Sequence, residues 1–467
     1  MTRFVSDASR SGRSRNRLRV CALAFGLAAS GVALADAHLD PRLVSRLAAA
    51  LPLEQLQVVV SYHQSTPLSA GQLADLRSLG IDTGVAMQTL PIAGALATPA
   101  EIRALARRSD VRAIHLNRDL EYYNNDARRM SGVDRLQADP SLGYTGRGVT
   151  VMVNDSGIDA THKDLAYGSK VVQNVQALTN LGAIVGLGRA TYLVGQLNTD
   201  ISSGHGTHCA GSVGGTGSAS GGLHRGVATS SDIVGYGSGA VISILDAVGG
   251  FDYAIAKQHA FRSPIKVISN SWGTSGAFDH TDPVNVASYA AYKAGIVSVF
   301  AAGNDGPAEN THNPYAQAPW VISVGAANKD GTLADFSSRG NRGESGTFTM
   351  GDGVQWTYVN QPTLVATGVD IVSTRALTGA LPLLATSQDL SLGAQAAYYT
   401  HMSGTSMATP HVAGIVALLF EAKPGLTPLE VKAVLSNTAD AMVGRQTYEV
   451  GSGHVDAYEA AQVAKGL

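Results

Sequence analysis

Apolar positions in the N-terminal part of the chain change period several times, and each change marks an element. Leu56 to Tyr62 is an apolar, β-branched run of strand character, Ala70 to Leu79 has helical spacing, and Val85 to Leu96 contains a strand pair around Pro91 and Gly94. Thr98-Pro99-Ala100-Glu101 supplies an N-cap, a proline at the first helical position and the glutamate of a capping box, predicting a helix to about Arg108. Val111 to Leu116 closes the set as a strand. The order β-α-β-β-α-β is that of a small ferredoxin-like α+β domain. Apolar patterning stops near Glu121-Tyr122-Tyr123-Asn124, where the domain is expected to end.

From Gly148 onward the pattern is different. Val149 to Val153, Ile265 to Ser269, Ile296 to Ala302 and Val321 to Ala326 are apolar runs of strand length, separated by helical patterns such as Val284 to Lys293. Continuously apolar strands alternating with helices predict an α/β fold, a mostly parallel sheet with helices on both faces. Asp155, Ser271 and Asn304 each follow the C-terminal end of one of these strands, where open α/β sheets build their sites. Between about Asn341 and Tyr399, polar, Gly-rich and Leu-rich pieces form a long link to which the sequence assigns no function.

Composition narrows the function. With 467 residues and 45% hydrophobic content the chain can bury a large core and more than one folded unit. A net charge of -2 and 15% charged residues leave no basic field for nucleic acid. Arg10, Arg13, Arg15, Arg17 and Arg19 precede an apolar run from Val20 and then Ala33-Leu34-Ala35, the layout of a signal peptide over residues 1–35. A membrane anchor is the weaker reading, because Ser30 and Gly31 interrupt a run already short for a span of ~20 residues. The expected product is therefore exported, extracellular or periplasmic, with no membrane attachment once the signal is removed. Cys21 lies in the leader, so Cys209 would remain alone, without a disulfide and most simply as a small buried apolar residue.

Three separated strings carry the chemistry: Asp155-Ser156-Gly157-Ile158-Asp159, His205-Gly206-Thr207-His208-Cys209-Ala210-Gly211 and Gly404-Thr405-Ser406-Met407-Ala408-Thr409-Pro410-His411. A serine hydroxyl needs a base within hydrogen-bond reach and a third group that fixes the base's tautomer, and Ser406, His205 and Asp155 supply those types. Val412 to Phe420 predicts a buried helix whose N-terminus lies at Ser406, favouring negative charge there. A Gly-rich helical segment, Gly206 to Gly215, is expected to follow His205 and pack against that helix. Singly, each string is an ordinary turn or loop; His205 and His208 as zinc ligands would lack the glutamate of a zincin motif.

The order Asp, His, Ser, together with Ser269-Asn270-Ser271-Trp272-Gly273 and Ala301-Ala302-Gly303-Asn304-Asp305, resembles the subtilisin-like serine peptidases, or subtilases. The likeness runs from about residue 125 to the end, where Gly451 to Ala457 resembles the close of a subtilase catalytic domain, and Cys209 follows the His motif as in proteinase K and its relatives. The resemblance implies a subtilisin-like peptidase domain over 124–467, with Asp155, His205 and Ser406 catalytic and Asn304 in the oxyanion hole. Gly237-Ser238-Gly239 and Ser271-Trp272-Gly273 would flank an extended polypeptide substrate and pair with it, giving broad specificity. It implies that residues 36–123 are a propeptide that assists folding and inhibits the enzyme until cut away; a structural module that stays attached is the alternative. No cofactor is expected for catalysis. Asp164 matches a calcium-binding position of some subtilases, although Gly214 to Gly222 does not reproduce their loop. A monomer is expected. A selective processing protease and a binding protein on an inactive scaffold are the rival functions; the uncharged binding segments argue against the first, the intact motif residues against the second.

Overall fold

The computed structural model describes residues 37–64, 66–86, 91–116, 125–178, 191–239, 242–377 and 388–467. The proposed leader and the junction expected near Tyr123 lie outside them. The chain divides into two compact units, Met1–Glu121 and Tyr122–Leu467.

The first unit holds β1 (His38–Leu39), α1 (Pro41–Ala49), β2 (Leu56–Tyr62), α2 (Ala70–Ser78), β3 (Gly84–Ala86), β4 (Ile92–Ala97), α3 (Pro99–Ala106) and β5 (Val111–Leu116). The expected β-α-β-β-α-β order is present from β2 to β5, in a sheet of order β1-β5-β2-β4-β3. Its β2 alternates buried Leu56, Val58, Val60 and Tyr62 with outward residues, the period of a half-buried strand. The capping box is formed as read: Glu101 Oε2 accepts the Thr98 N–H at 2.7 Å and Thr98 Oγ1 the Glu101 N–H. The sequence reading missed β1, whose two residues carry no periodicity, and α1, whose buried Leu43 and Leu47 at helical spacing were an available signal.

In the second unit, α4 (Asn125–Met130) and α5 (Val133–Ala138) precede β6 (Thr150–Asp155), β7 (Val171–Ala177), β8 (Tyr192–Val194), α6 (His205–Gly214) and β9 (Asp232–Gly237). There follow α7 (Ile244–Ala256), β10 (Ile265–Asn270), α8 (Pro283–Lys293), β11 (Val297–Ala301) and β12 (Ile322–Ala327). The sheet order is β15-β12-β11-β10-β6-β9-β7-β8, with β15 at Leu364–Thr367. Every neighbouring pair is parallel except β7 with β8.

Strand periodicity sorts the side chains into two cores. Val151 and Val153 of β6, Val267 of β10 and Val299 of β11 face the layer containing α6 and α9 (Thr405–Ala422). Met152, Ile268 and Phe300 face the layer containing α7 and α8. In α9, every residue from Val412 to Phe420 is buried, and all but Gly414 are at most 2% exposed. Each large aliphatic side chain there contributes about 1.5–3 kcal/mol of burial, which anchors the helix along the middle of the sheet.

Among its described residues the long link contains a hairpin of β13 (Ser345–Thr349) and β14 (Gln355–Val359), the edge strand β15, a 3-10 segment at Asp389–Ala397, and β16 (Ile371–Thr374) paired antiparallel with β17 (Tyr399–Met402). After α9 come α10 (Pro428–Thr438), α11 (Thr447–Val450) and α12 (Ala457–Gly466).

Candidate active site

Asp155 is the last residue of β6 and 1% exposed. Its Oδ1 accepts the Ser156 N–H at 2.7 Å and lies 2.7 Å from His205 Nδ1. A carboxylate can only accept, so Nδ1 carries the proton and Nε2 of the neutral ring is left as an acceptor. His205 opens α6, and Gly206 lets that helix approach the sheet: a Cβ there would overlap the carbonyl oxygen of Gly157 and come within 3.1 Å of Asp155 Cβ.

Ser406 is the second residue of α9, where backbone N–H groups have no intrahelical acceptor. Four residues later Pro410 lacks an N–H, which leaves the Ser406 carbonyl without its helical partner. That carbonyl instead accepts Ser271 Oγ at 2.9 Å and Cys209 Sγ at 3.4 Å. One proline thus ties α9 to the segment after β10 and to α6. In return Ser406 Oγ donates to the Ser271 carbonyl at 2.9 Å; no hydrogen bond joins it to His205 in this structure.

Asn304 follows β11. Its Oδ1 accepts both the N–H and the hydroxyl of Thr405, each at 2.9 Å, which fixes the orientation of the amide. A Cβ on Gly404 would lie 3.4 Å from that Nδ2, so the glycine keeps the approach to Ser406 open. Together these groups can offer a nucleophile, a base with a fixed tautomer, and two kinds of N–H donor to a developing oxyanion.

Two cavities border this centre. One of about 450 Å³ lies on the His205 side, against Gly239, Ile244, Ala247, Trp272 and Tyr315. The other, about 260 Å³, touches Ser406 and is walled by Gly273, Gly303, Asn304, Asp305 and Asn313. Trp272 and Gly273 line both. The Trp272 carbonyl is held by Asn313 Nδ2 at 3.2 Å and the Trp272 indole N–H by the Asn154 carbonyl at 2.7 Å, whereas the Gly273 N–H and C=O have no partner among the described residues. Gly237 ends β9, and the N–H groups of Ser238 and Gly239 donate to the Asp155 and Ser156 carbonyls.

The model of the subtilase family matches residues 146–454. The chain belongs to the subtilase family. This subtilase is 33% identical over 378 residues to the serine protease AprX of Bacillus subtilis (strain 168), over 77% of the chain and 76% of AprX. It is 32% identical over 340 residues to subtilisin E of the same strain, over 71% of each chain. Among solved structures, sphericase matches with a TM-score of 0.51 at 27% identity, over 70% of this chain and 97% of its own. Fervidolysin from Fervidobacterium pennivorans, titled a keratinolytic enzyme related to subtilisin, shares the fold over 91% of this chain and 63% of its own, with a TM-score of 0.53 at 21% identity. The protein is a subtilisin-like serine endopeptidase, a hydrolase of polypeptides in a family whose catalysis needs no cofactor.

In this subtilase, burial at the site disfavours the charged form of His205, but the Asp155 carboxylate outweighs it and raises the imidazole well above its ordinary 6.5. Burial raises the Cys209 thiol, which keeps it neutral beside His205 Nδ1 at 3.9 Å. His208 points elsewhere: its Nε2 donates to the Ile371 and Thr400 carbonyls at 2.9 and 3.2 Å, which removes the zinc reading.

Asp200 is a residue the sequence reading missed. It is fully buried; Oδ1 accepts Ser156 Oγ at 3.0 Å and the Gly204 N–H at 2.8 Å, and Oδ2 accepts the Thr207 N–H and hydroxyl at 3.0 and 2.6 Å. Ser156 Oγ in turn accepts the Gly206 N–H at 2.8 Å. The carboxylate so fixes the turn that delivers His205 to Asp155. An acidic residue five positions before the histidine was the available signal.

Asp164, the residue that matches a calcium-binding position, has protein partners. It is fully buried, and its two oxygens accept the Ala219 N–H at 2.9 Å and the Tyr399 hydroxyl at 2.7 Å. Among the described residues no cluster of three potential metal-binding side chains includes it.

Proposed function

We propose that this endopeptidase works through Ser406, His205 and Asp155, with an acyl-enzyme on Ser406. His205 Nε2 takes the Ser406 proton once the hydroxyl turns from the Ser271 carbonyl toward the ring, and Asn304 Nδ2 with the Ser406 N–H receives the oxyanion. The observation that carries the reading is the 2.7 Å bond from His205 Nδ1 to buried Asp155, with Ser406 on the free N-terminal turn of α9. Hydrolysis of casein that a serine-directed phosphonate abolishes, with the adduct mapped to Ser406 by mass spectrometry, is the expected result. An adduct elsewhere would remove Ser406 from the role.

The substrate lies extended between Gly237-Ser238-Gly239 and Ser271-Trp272-Gly273, pairing with the free backbone of Gly273, and backbone pairing supports broad sequence tolerance. Apolar and aromatic residues are preferred at P1, against the backbone of Gly273 and Gly303. Asp305 on the wall of the same cavity favours a second reading, in which Arg or Lys is also accepted. A peptide library separates them: cleavage dominated by basic P1 residues would replace the first by the second.

The enzyme is made as a secreted zymogen with a signal over 1–35 and a propeptide to about Tyr123, and acts as a monomer. The separate compact unit ending at Glu121 and the absence, among the described residues, of a helix able to cross a membrane support this reading.

A further inference from the structure

The ladder on the β9 side of β6 runs to the strand's end, where Asp155 pairs with Gly237. On the β10 side it stops two residues earlier, at Val153 opposite Ser269. Side chains carry the connection past that point. Asn154 Nδ2 donates to Asn270 Oδ1 at 3.1 Å, and the Trp272 indole N–H donates to the Asn154 carbonyl at 2.7 Å. The half-buried indole also lies edge-on to Phe300 of β11 and to Tyr315, with ring centroids 5.4 and 6.1 Å apart.

The residues on either side of Trp272 face the nucleophile and the substrate. Ser271 and Ser406 exchange two hydrogen bonds, each at 2.9 Å. Gly273 is exposed, and its N–H and C=O have no partner among the described residues. Glycine populates more of backbone space than any other residue, so its own preference does not hold it extended. Its placement is inherited from residue 272, which is tethered through the indole to β6 and through its carbonyl to Asn313 Nδ2 at 3.2 Å. The indole tether sets the spacing from Asp155, because Asn154 is the neighbour of Asp155 in β6.

We propose that Trp272 is a positioning residue for peptide binding: its indole N–H, fastened to the carbonyl of Asn154, fixes the backbone of Gly273 at the spacing from β6 that lets an extended chain pair with it, a role that rests on the substrate pairing proposed for Gly273. A tethered strand meets the peptide already ordered, so binding does not have to order it. Substrates long enough to pair gain from the tether, and substrates too short to pair do not.

The test compares acetyl-Tyr p-nitroanilide with acetyl-Ala-Ala-Ala-Tyr p-nitroanilide, which share the cut and differ only in the residues available for pairing. In the parent enzyme the longer substrate is expected to have a kcat/KM about tenfold higher or more, gained mostly through KM. β-(3-Benzothienyl)alanine in place of Trp272 keeps the bicyclic shape and replaces the N–H by sulfur; it should cut that advantage by about three- to tenfold, the value of one hydrogen bond. Trp272→Phe, which keeps a ring toward Phe300 and Tyr315 but has no N–H, should show the same fall. The advantage is a ratio measured on one preparation, so a loss of folded enzyme lowers both rates alike and cancels. An undiminished advantage with benzothienylalanine overturns the proposal and leaves the pairing reading standing, because shape and not the N–H would then act. No advantage in the parent itself overturns the pairing reading and the role of Trp272 with it.

Discussion

At the residue scale, Asn304 and His205 make the sharpest predictions. Thr405 holds Asn304 Oδ1 and so fixes Nδ2; in the oxyanion role we propose, that makes the donor preorganised for charge that exists only in the transition state. Asn304→Ala is expected to lose ~10²–10³ in kcat, the loss known for such a donor in subtilisin, with little change in KM. Steady-state kinetics checks it, and an unchanged kcat removes the role. The raised pKa of His205 means that the base is already protonated over a range where free imidazole is neutral, so kcat/KM should fall as pH drops through a midpoint above 6.5. Asp155→Asn should move that midpoint down toward 6.5 while lowering the plateau. The same shift stabilises the fold below pH 6.5, and that contribution is lost as pH rises through the folded-state value. A pH–rate profile whose acid limb is unmoved in Asp155→Asn would show that the carboxylate does not set the base.

At the element scale, the active centre is the meeting of α6 and α9 with the C-terminal ends of four neighbouring strands. Small residues let the helices come close. A Cβ on Gly414 of α9 would sit 2.6 Å from Val227 Cβ and 2.8 Å from the Val213 carbonyl oxygen, both in rigid surroundings. Gly414→Ala should therefore destabilise by about 1–3 kcal/mol despite alanine's better helix propensity, read as a lowered denaturant midpoint. A midpoint raised by that substitution would show that the two helices are less closely fitted than their glycines suggest. The helices themselves were legible in the sequence: the buried run Val412 to Phe420 and the Gly-rich stretch after His205 lie where periodicity and composition indicate. Asp200 was not, because a lone acid in a polar loop looks like any solvated residue until the fold buries it against Ser156, Gly204 and Thr207.

At the scale of the whole molecule, the two compact units make the processing prediction concrete. If the triad cuts its own junction, the step is effectively intramolecular and only weakly dependent on concentration. Ser406→Ala should then accumulate with residues 36–123 still joined to the peptidase unit, while the active chain appears shorter by intact mass, in a host without other secreted proteases. Identical N-termini in the two proteins would assign the cut to another enzyme.

Several features follow from the order of residues alone. Continuous apolar strands joined by amphipathic helices dictate a covered parallel sheet, and the Thr98–Glu101 capping box dictates where its helix starts, because both depend on neighbours along the chain. The three motif strings carry the residue types for acyl transfer in one recognisable order. Other features depend on groups distant in sequence. Only the fold brings Asp155 within 2.7 Å of His205 across fifty residues, and only the fold reassigns the carbonyl that Pro410 frees to Ser271 and Cys209. It alone brings the Tyr399 hydroxyl, from the link whose function the sequence left blank, to the buried carboxylate of Asp164. Hydrogen-bond satisfaction in a buried site is decided by which chains meet there, and local pattern does not encode that meeting.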